Sequence, residues 1–311
     1  MSNTALIYGD SGIGKTANLQ RLASYLLTKY PEKLVRLVSS DGGGWAPFEQ
    51  TGLIEAGKVK THSLSASEFV YAEMNHLSLG YWPRGDGKWQ KWGAPTSAYL
   101  IEGLESFGDN LLSHFAHQSS ERAGFKHSWG FKESLDALDA NSPAYYVGGL
   151  DKGHFGMVQT ELLRIHKRGF ANLPADWVVW TSKVSRGEDS ETKETVFGPA
   201  LVGTAKTTKL TGDFGDCLHL DEVMLDGKPT RVAWFTSHQD RKTGIKYIAK
   251  SRVTIELIPY LYKKWPNGFI PLTFDAEGNF HGIEQYWQFL LEFVPIALTK
   301  LKERQESMKA G

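Results

Sequence analysis

The sequence predicts an α/β fold: a mostly parallel sheet, antiparallel strands late in the chain, and a C-terminal helical appendage. Three observations carry it. Short apolar runs ended by glycine or an acid alternate with stretches of helical spacing, a turn signal separates late strand runs, and apolar residues keep helical spacing near the C-terminus.

Residues 4–8 (TALIY) form the first strand run, ended by Gly9, and Leu19, Leu22, Ala23 and Leu26 then recur at helical spacing. Residues 34–40 (LVRLVSS) read as a second strand ending at Asp41 and the turn Gly42-Gly43-Gly44, expected beside the first. Residues 98–101 (AYLI) read as a third, ending at Glu102. A helix through Leu111 and Leu112 leads to a polar stretch that reads as an insertion at about 115–150. Phe155, Val158, Leu162 and Ile165 mark another helix, and Leu173-Pro174 leads into a buried-type strand at 177–181 (WVVWT). Residues 217–220 begin a strand, Asp226-Gly227-Lys228-Pro229 makes a turn, and 231–235 and 247–250 look like hairpin strands. From Tyr286, the residues Trp287, Leu290, Leu291, Val294, Leu298 and Leu301 keep helical spacing, with a kink at Pro295. The expected division is a core over 1–255 and an appendage over 256–311.

At 311 residues, with 41% apolar and 23% charged residues, the chain has the composition of a folded protein. Lysine plus arginine equal aspartate plus glutamate at 35 each. No bulk positive field therefore attracts polyanions, and any nucleic-acid surface must be a local patch or arise by assembly. The single cysteine, Cys217, excludes an intramolecular disulfide and a cysteine-rich zinc site. It fits a reducing compartment, and the expected location is the cytoplasm, that of the host cell if the chain is phage-encoded. The sequence runs straight into a strand, so no signal peptide is expected, and no apolar run approaches the ~18 residues of a membrane span.

Gly9-Asp10-Ser11-Gly12-Ile13-Gly14-Lys15-Thr16 satisfies G-x-x-x-x-G-K-[ST] in full, between a strand run and a helical run as the pattern requires. Glycines let backbone N–H groups turn around phosphate oxygens, the helix N-terminus adds partial positive charge, Lys15 reaches the β/γ-phosphates, and the Thr16 hydroxyl ligates Mg²⁺. The expectation is a P-loop that binds ATP with Mg²⁺. Such a loop also needs a strand-end carboxylate for the metal and a group that orients water. Glu102 is the first choice for the metal. Asp41 could position water, or simply cap the glycine turn. Asp221 and Glu222 look superficially like the hydrophobic-Asp-Glu box of motor ATPases, but a turn follows almost at once, so they read as strand-end surface residues.

The order of these motifs resembles the RecA-like ATPases of bacteriophages, phage nucleotide-binding proteins linked to single-strand annealing and recombination. The resemblance spans roughly residues 4–252 and rests on Ser39-Ser40-Asp41-Gly42-Gly43, Ile101-Glu102-Gly103-Leu104-Glu105, Leu173-Pro174, residues 178–183, residues 198–206 and Phe214-Gly215-Asp216. It implies a RecA-like core, a homo-oligomer, and catalytic roles for Lys15, Glu102 at the metal, Asp41 at the water, and Lys183, which stands where the family has histidine. Each acid differs from the family's by one methylene, which shifts the attacking water by about an ångström and implies slow turnover. Lys250 and Arg252, in 247–252, resemble the basic segment that RecA-like filaments present to a neighbour's nucleotide. The bland reading is a solvated strand face.

Residues 81–92 (YWPRGDGKWQKW) mix aromatic and basic side chains, chemistry that stacks bases of single-stranded DNA or, more ordinarily, packs beneath a loop. His238 has no partner at metal spacing in the sequence and reads as a surface histidine. The function expected is an ATPase in phage DNA recombination or annealing. Its rivals are a motor or remodeller of the AAA type in replication or packaging, and a nucleotide-gated assembly protein with little turnover.

Overall fold

The structure, a computed structural model, describes residues 3–40, 45–64, 70–84, 86–121, 152–188, 193–201, 210–240, 243–253, 257–295 and 298–299. Asp41 and its glycine turn, and most of the insertion, lie outside them.

The chain opens with β1 (Asn3–Gly9), α1 (Lys15–Lys29), β2 (Leu34–Ser39), α2 (Ala46–Glu49), β3 (Val59–Ser63) and α3 (Val70–Ser78). A hairpin of β4 (Tyr81–Pro83) and β5 (Trp89–Lys91) precedes β6 (Thr96–Glu102) and α4 (Leu104–Glu121). After α5 (Lys152–Arg164) come β7 (Ala175–Ser182), β8 (Val184–Glu188), β9 (Thr195–Pro199), β10 (Asp216–Leu225) and β11 (Lys228–Trp234). The short strands β12 (His238–Gln239) and β13 (Lys246–Tyr247) are followed by α6 (Ile258–Lys264), β14 (Phe269–Phe274), β15 (Phe280–His281) and α7 (Glu284–Gln288).

A nine-stranded sheet dominates, in the order β15-β14-β11-β10-β1-β7-β6-β2-β3. From β10 to β3 every neighbouring pair is parallel, whereas β11, β14 and β15 join antiparallel. The mixed α/β class with a mostly parallel sheet and late antiparallel members is thus present. β2 is not beside β1, however: β7 and β6 stand between them. Sequential strands do not have to be spatial neighbours when crossovers are long enough to skip a position.

Both faces of the parallel strands are covered, which is why these strands read as near-continuous apolar runs. On one face α1 packs through Leu19, Leu22, Ala23 and Leu26, joined by Ile283, Tyr286 and Trp287. On the other, Phe107, Leu111, Val158, Leu162 and Phe170 surround Trp180. The expected C-terminal appendage is therefore corrected. β14 pairs with β11 inside the main sheet, Trp287 and Tyr286 are fully buried, and Asn18 of α1 accepts a hydrogen bond from the Ile283 N–H at 2.9 Å. Helical spacing revealed an apolar face near the C-terminus but not what that face packs against. The strand expected at 247–250 is shorter: β13 forms an antiparallel hairpin with β12 in a separate four-stranded sheet, β12-β13-β9-β8.

The tryptophans of 81–92 pack inward. Trp82, Trp89 and Trp92 lie against the second core, and the buried Arg36 guanidinium sits 5.0 Å from the Trp82 ring and 4.5 Å from that of Trp92. Among the described residues, no helix is long and apolar enough to cross a membrane.

Candidate phosphate-binding site

The loop at the C-terminal end of β1 can exist only with glycine at its key positions. A Cβ on Gly9 would lie 2.7 Å from the Leu220 carbonyl oxygen, and Gly12 and Gly14 have φ of 78° and 100°, in the left-handed region that other residues rarely enter. Gly14 caps α1, and no side chain caps the helix N-terminus; its first turn holds no acid. An ordinary helix start carries Ser, Thr, Asp or Asn at the cap and acids nearby. This one leaves its N–H groups and their partial positive charge to an external acceptor, the arrangement that suits a bound anion.

Lys15 folds over the loop, its Nζ donating to the Gly9 and Asp10 carbonyls at 2.8 Å each. Burial pushes its pKa below the usual lysine value, with Lys183 acting in the same direction and Glu105, Asp10 and Glu102 opposing. The Thr16 hydroxyl donates to Glu102 Oε1. Glu102 ends β6, one strand removed from β1, and is largely buried. Gly103, with φ of 83°, turns the chain there into α4, and its N–H donates to Thr181 Oγ1 at 3.1 Å. A threonine hydroxyl beside a carboxylate is an all-oxygen donor set suited to a hard cation such as Mg²⁺. The sequence-predicted loop, Thr16 and Glu102 are therefore together.

Lys183 follows β7, whose Ser182 pairs with Tyr8, and so comes to the same end of the sheet. Its partner is Glu105: the Lys183 N–H donates to Glu105 Oε2 at 3.2 Å, and the ammonium lies 3.6 Å from Oε1. Sequence reasoning assigned no role to Glu105, although it stands one turn beyond Glu102. Arg231 was missed entirely. It is exposed on β11, and its Nη1 lies 3.4 Å from where a Cβ on Gly14 would be. No local pattern could have found it, because only the pairing of β11 on β10 and β10 on β1 brings it to the loop.

Arg252 stands elsewhere. Its Nη2 donates to the Thr4 carbonyl at 2.7 Å, its backbone N–H to Asp216 Oδ1 at 2.8 Å, and its Nε pairs with Asp216 Oδ2. Asp216 is level with Ala5, at the opposite end of β1 from the glycine loop. The charge expected to reach across a subunit boundary is thus neutralised within its own chain. Lys250 exchanges backbone hydrogen bonds with Cys217 in the same region. Asp221 and Glu222 do not end their strand, which continues to Leu225, and Asp221 follows the residue paired with Gly9. His238 is not a surface histidine: its side chain is 8% exposed and its Nε2 lies 3.8 Å from Asp221 Oδ2.

No family model matches the chain, and no curated protein matches it in sequence.

Proposed function

We propose that the chain is a RecA-like P-loop ATPase that binds ATP with Mg²⁺ through residues 9–16 and turns it over slowly, in a phage-type DNA recombination or annealing step. One observation carries the nucleotide reading: an uncapped helix N-terminus behind a glycine loop, with Lys15 over it and Thr16 hydrogen-bonded to Glu102. Backbone N–H groups and Lys15 would take the phosphates, while Thr16 and Glu102 would hold the metal, which polarises the γ-phosphoryl group when bound. Arg231 adds a cation at the lip of the loop. Slow turnover is supported by Glu105, a further carboxylate acting on Lys15, with its two oxygens engaged by Lys183. The same observation favours the second reading, a nucleotide-gated assembly protein. The DNA process and the homo-oligomer rest on the sequence resemblance.

Equilibrium binding of a fluorescent ATP analogue, followed by ATPase assays with and without single-stranded DNA, tests the proposal. Micrographs from the same buffer record any assembly. Mg²⁺-dependent binding, with turnover raised by DNA and filaments present, is the expected result. Glu102→Gln should keep binding but lose on the order of 10²-fold in turnover, since the carboxylate's charge at the metal goes while its size stays. Binding without measurable turnover in the native chain would select the gated-assembly reading. Absence of nucleotide binding would end both.

A further inference from the structure

On the face of the sheet away from α1, three side chains distant in sequence converge. His219 and Asp221 are two apart on β10 and so share a face. His238 begins β12, which pairs with β13, where Tyr247 lies opposite it. A donor atom from each of His219, Asp221 and His238 lies within 4.8 Å of the others.

Three of the four ring nitrogens are buried without a hydrogen-bond partner. His219 is 2% exposed and its Nδ1 has no hydrogen-bond partner, and both ring nitrogens of His238 are likewise buried and unpartnered. The rings are held by their neighbours: His219 stacks on Tyr8 and Tyr247, with centroids 4.7 and 4.5 Å away, and His238 on Trp234 at 3.8 Å. Buried imidazoles normally satisfy at least one nitrogen. Here one nitrogen from each imidazole and one carboxylate oxygen come within 4.8 Å of one another.

We propose that His219, Asp221 and His238 form a binding site for a divalent transition-metal ion of the Zn²⁺ class. Two imidazoles and a carboxylate are donors that Zn²⁺ and its neighbours accept, whereas Mg²⁺ and Ca²⁺ demand oxygen. The His219 and His238 rings are stacked, with centroids 5.2 Å apart and planes 19° from parallel, so the rings must tilt for one nitrogen of each to aim at a common ion. Donor atoms around such an ion sit roughly 3.3 Å from one another, so the three donors, now within 4.8 Å, must draw together by up to about 1.5 Å. His238 also lines a surface cavity with Thr195 and Lys246. A bound ion would fasten the four-stranded sheet, through β12, to β10 beside the level of Gly9. The proposal does not depend on the nucleotide reading.

The test is a titration of the chelator-treated full chain with Co²⁺, read by the visible absorption of tetrahedral cobalt, then displacement by Zn²⁺. Saturation at one equivalent is expected, with Zn²⁺ displacing the signal and millimolar Mg²⁺ leaving it. His238→Gln and Asp221→Asn should each weaken binding by at least ~100-fold while keeping the metal-free circular dichroism and melting curve. Asp221, the half-exposed member of the cluster, keeps the test open if a histidine variant does not fold. Glu102→Gln should bind Co²⁺ as the native chain does. Absence of saturable binding, unchanged affinity in a folded His238→Gln, or loss of the signal in Glu102→Gln would each overturn the site.

Discussion

The two ends of β1 each gather charged side chains, yet they differ in how completely those charges are answered from within the chain. At the N-terminal end Asp216, fully buried, accepts from the Arg252 backbone N–H at 2.8 Å and from Tyr286 Oη at 2.7 Å, and its second oxygen pairs with the Arg252 guanidinium. The remaining guanidinium donors reach Asn3 and Thr4, and the cation lies 4.9 Å from the Trp177 ring. At the C-terminal end, among the described residues, Lys15 donates to two loop carbonyls and forms no ion pair, α1 has no side-chain cap, and Arg231 forms no ion pair. A closed network holds a fold together. An open one with the same residue types has donors to spare for a ligand.

The sharpest way to break this comparison is at the closed end. Asp216→Ala strands a partly buried guanidinium and is expected to cost about 3 kcal/mol or more, read by denaturant unfolding, with nucleotide affinity unchanged in whatever folds. A drop in affinity without loss of stability would make the two ends one site.

Lys15→Ala is the converse. Loss of a charge-assisted contact to phosphate is expected to weaken ATP binding by on the order of 10²-fold, while the melting temperature stays the same. Unchanged affinity in the folded variant would defeat the phosphate assignment.

Arg231→Ala should cost less, about tenfold in ATP affinity or turnover, because its guanidinium is exposed and screened. The loss should shrink as salt is raised. An effect larger than that of Lys15→Ala would move the centre of the site onto β11.

The smallest expected effect concerns an interior group that is incompletely answered but sealed. Burial pushes His166 down to about 4, with the Asp213 carbonyl opposing weakly. The unfolded chain therefore binds the proton first as pH falls. This contribution to stability is complete above about pH 6.5 and is lost as pH drops towards 4. Between about pH 7 and pH 5.5 it amounts to roughly 1 kcal/mol, and His166→Gln should flatten that part of the stability profile. An unchanged profile would show that the histidine is not held neutral by the fold.

Local chemistry explains which parts were legible. The runs at 4–8, 98–101 and 177–181 became β1, β6 and β7 because strands buried on both faces are apolar throughout. β3, β8 and β9 escaped notice: Val59–Ser63 alternates weakly, and β8 and β9 are short and mixed. Glu102 could be chosen because a carboxylate ending an apolar strand is itself a local signal. Arg252 was misassigned because its partner, Asp216, is 36 residues away.

What the sequence by itself determined is the glycine loop and helix start at 9–16, since positive φ, close backbone approach and uncapped amides are properties of consecutive residues. Only the tertiary structure decided that β14 and Trp287 belong to the main body, that Arg231 leans over Gly14, and that His219, Asp221 and His238 meet. Those facts depend on strand pairing between distant segments, and pairing partners leave no mark in the spacing of either segment alone.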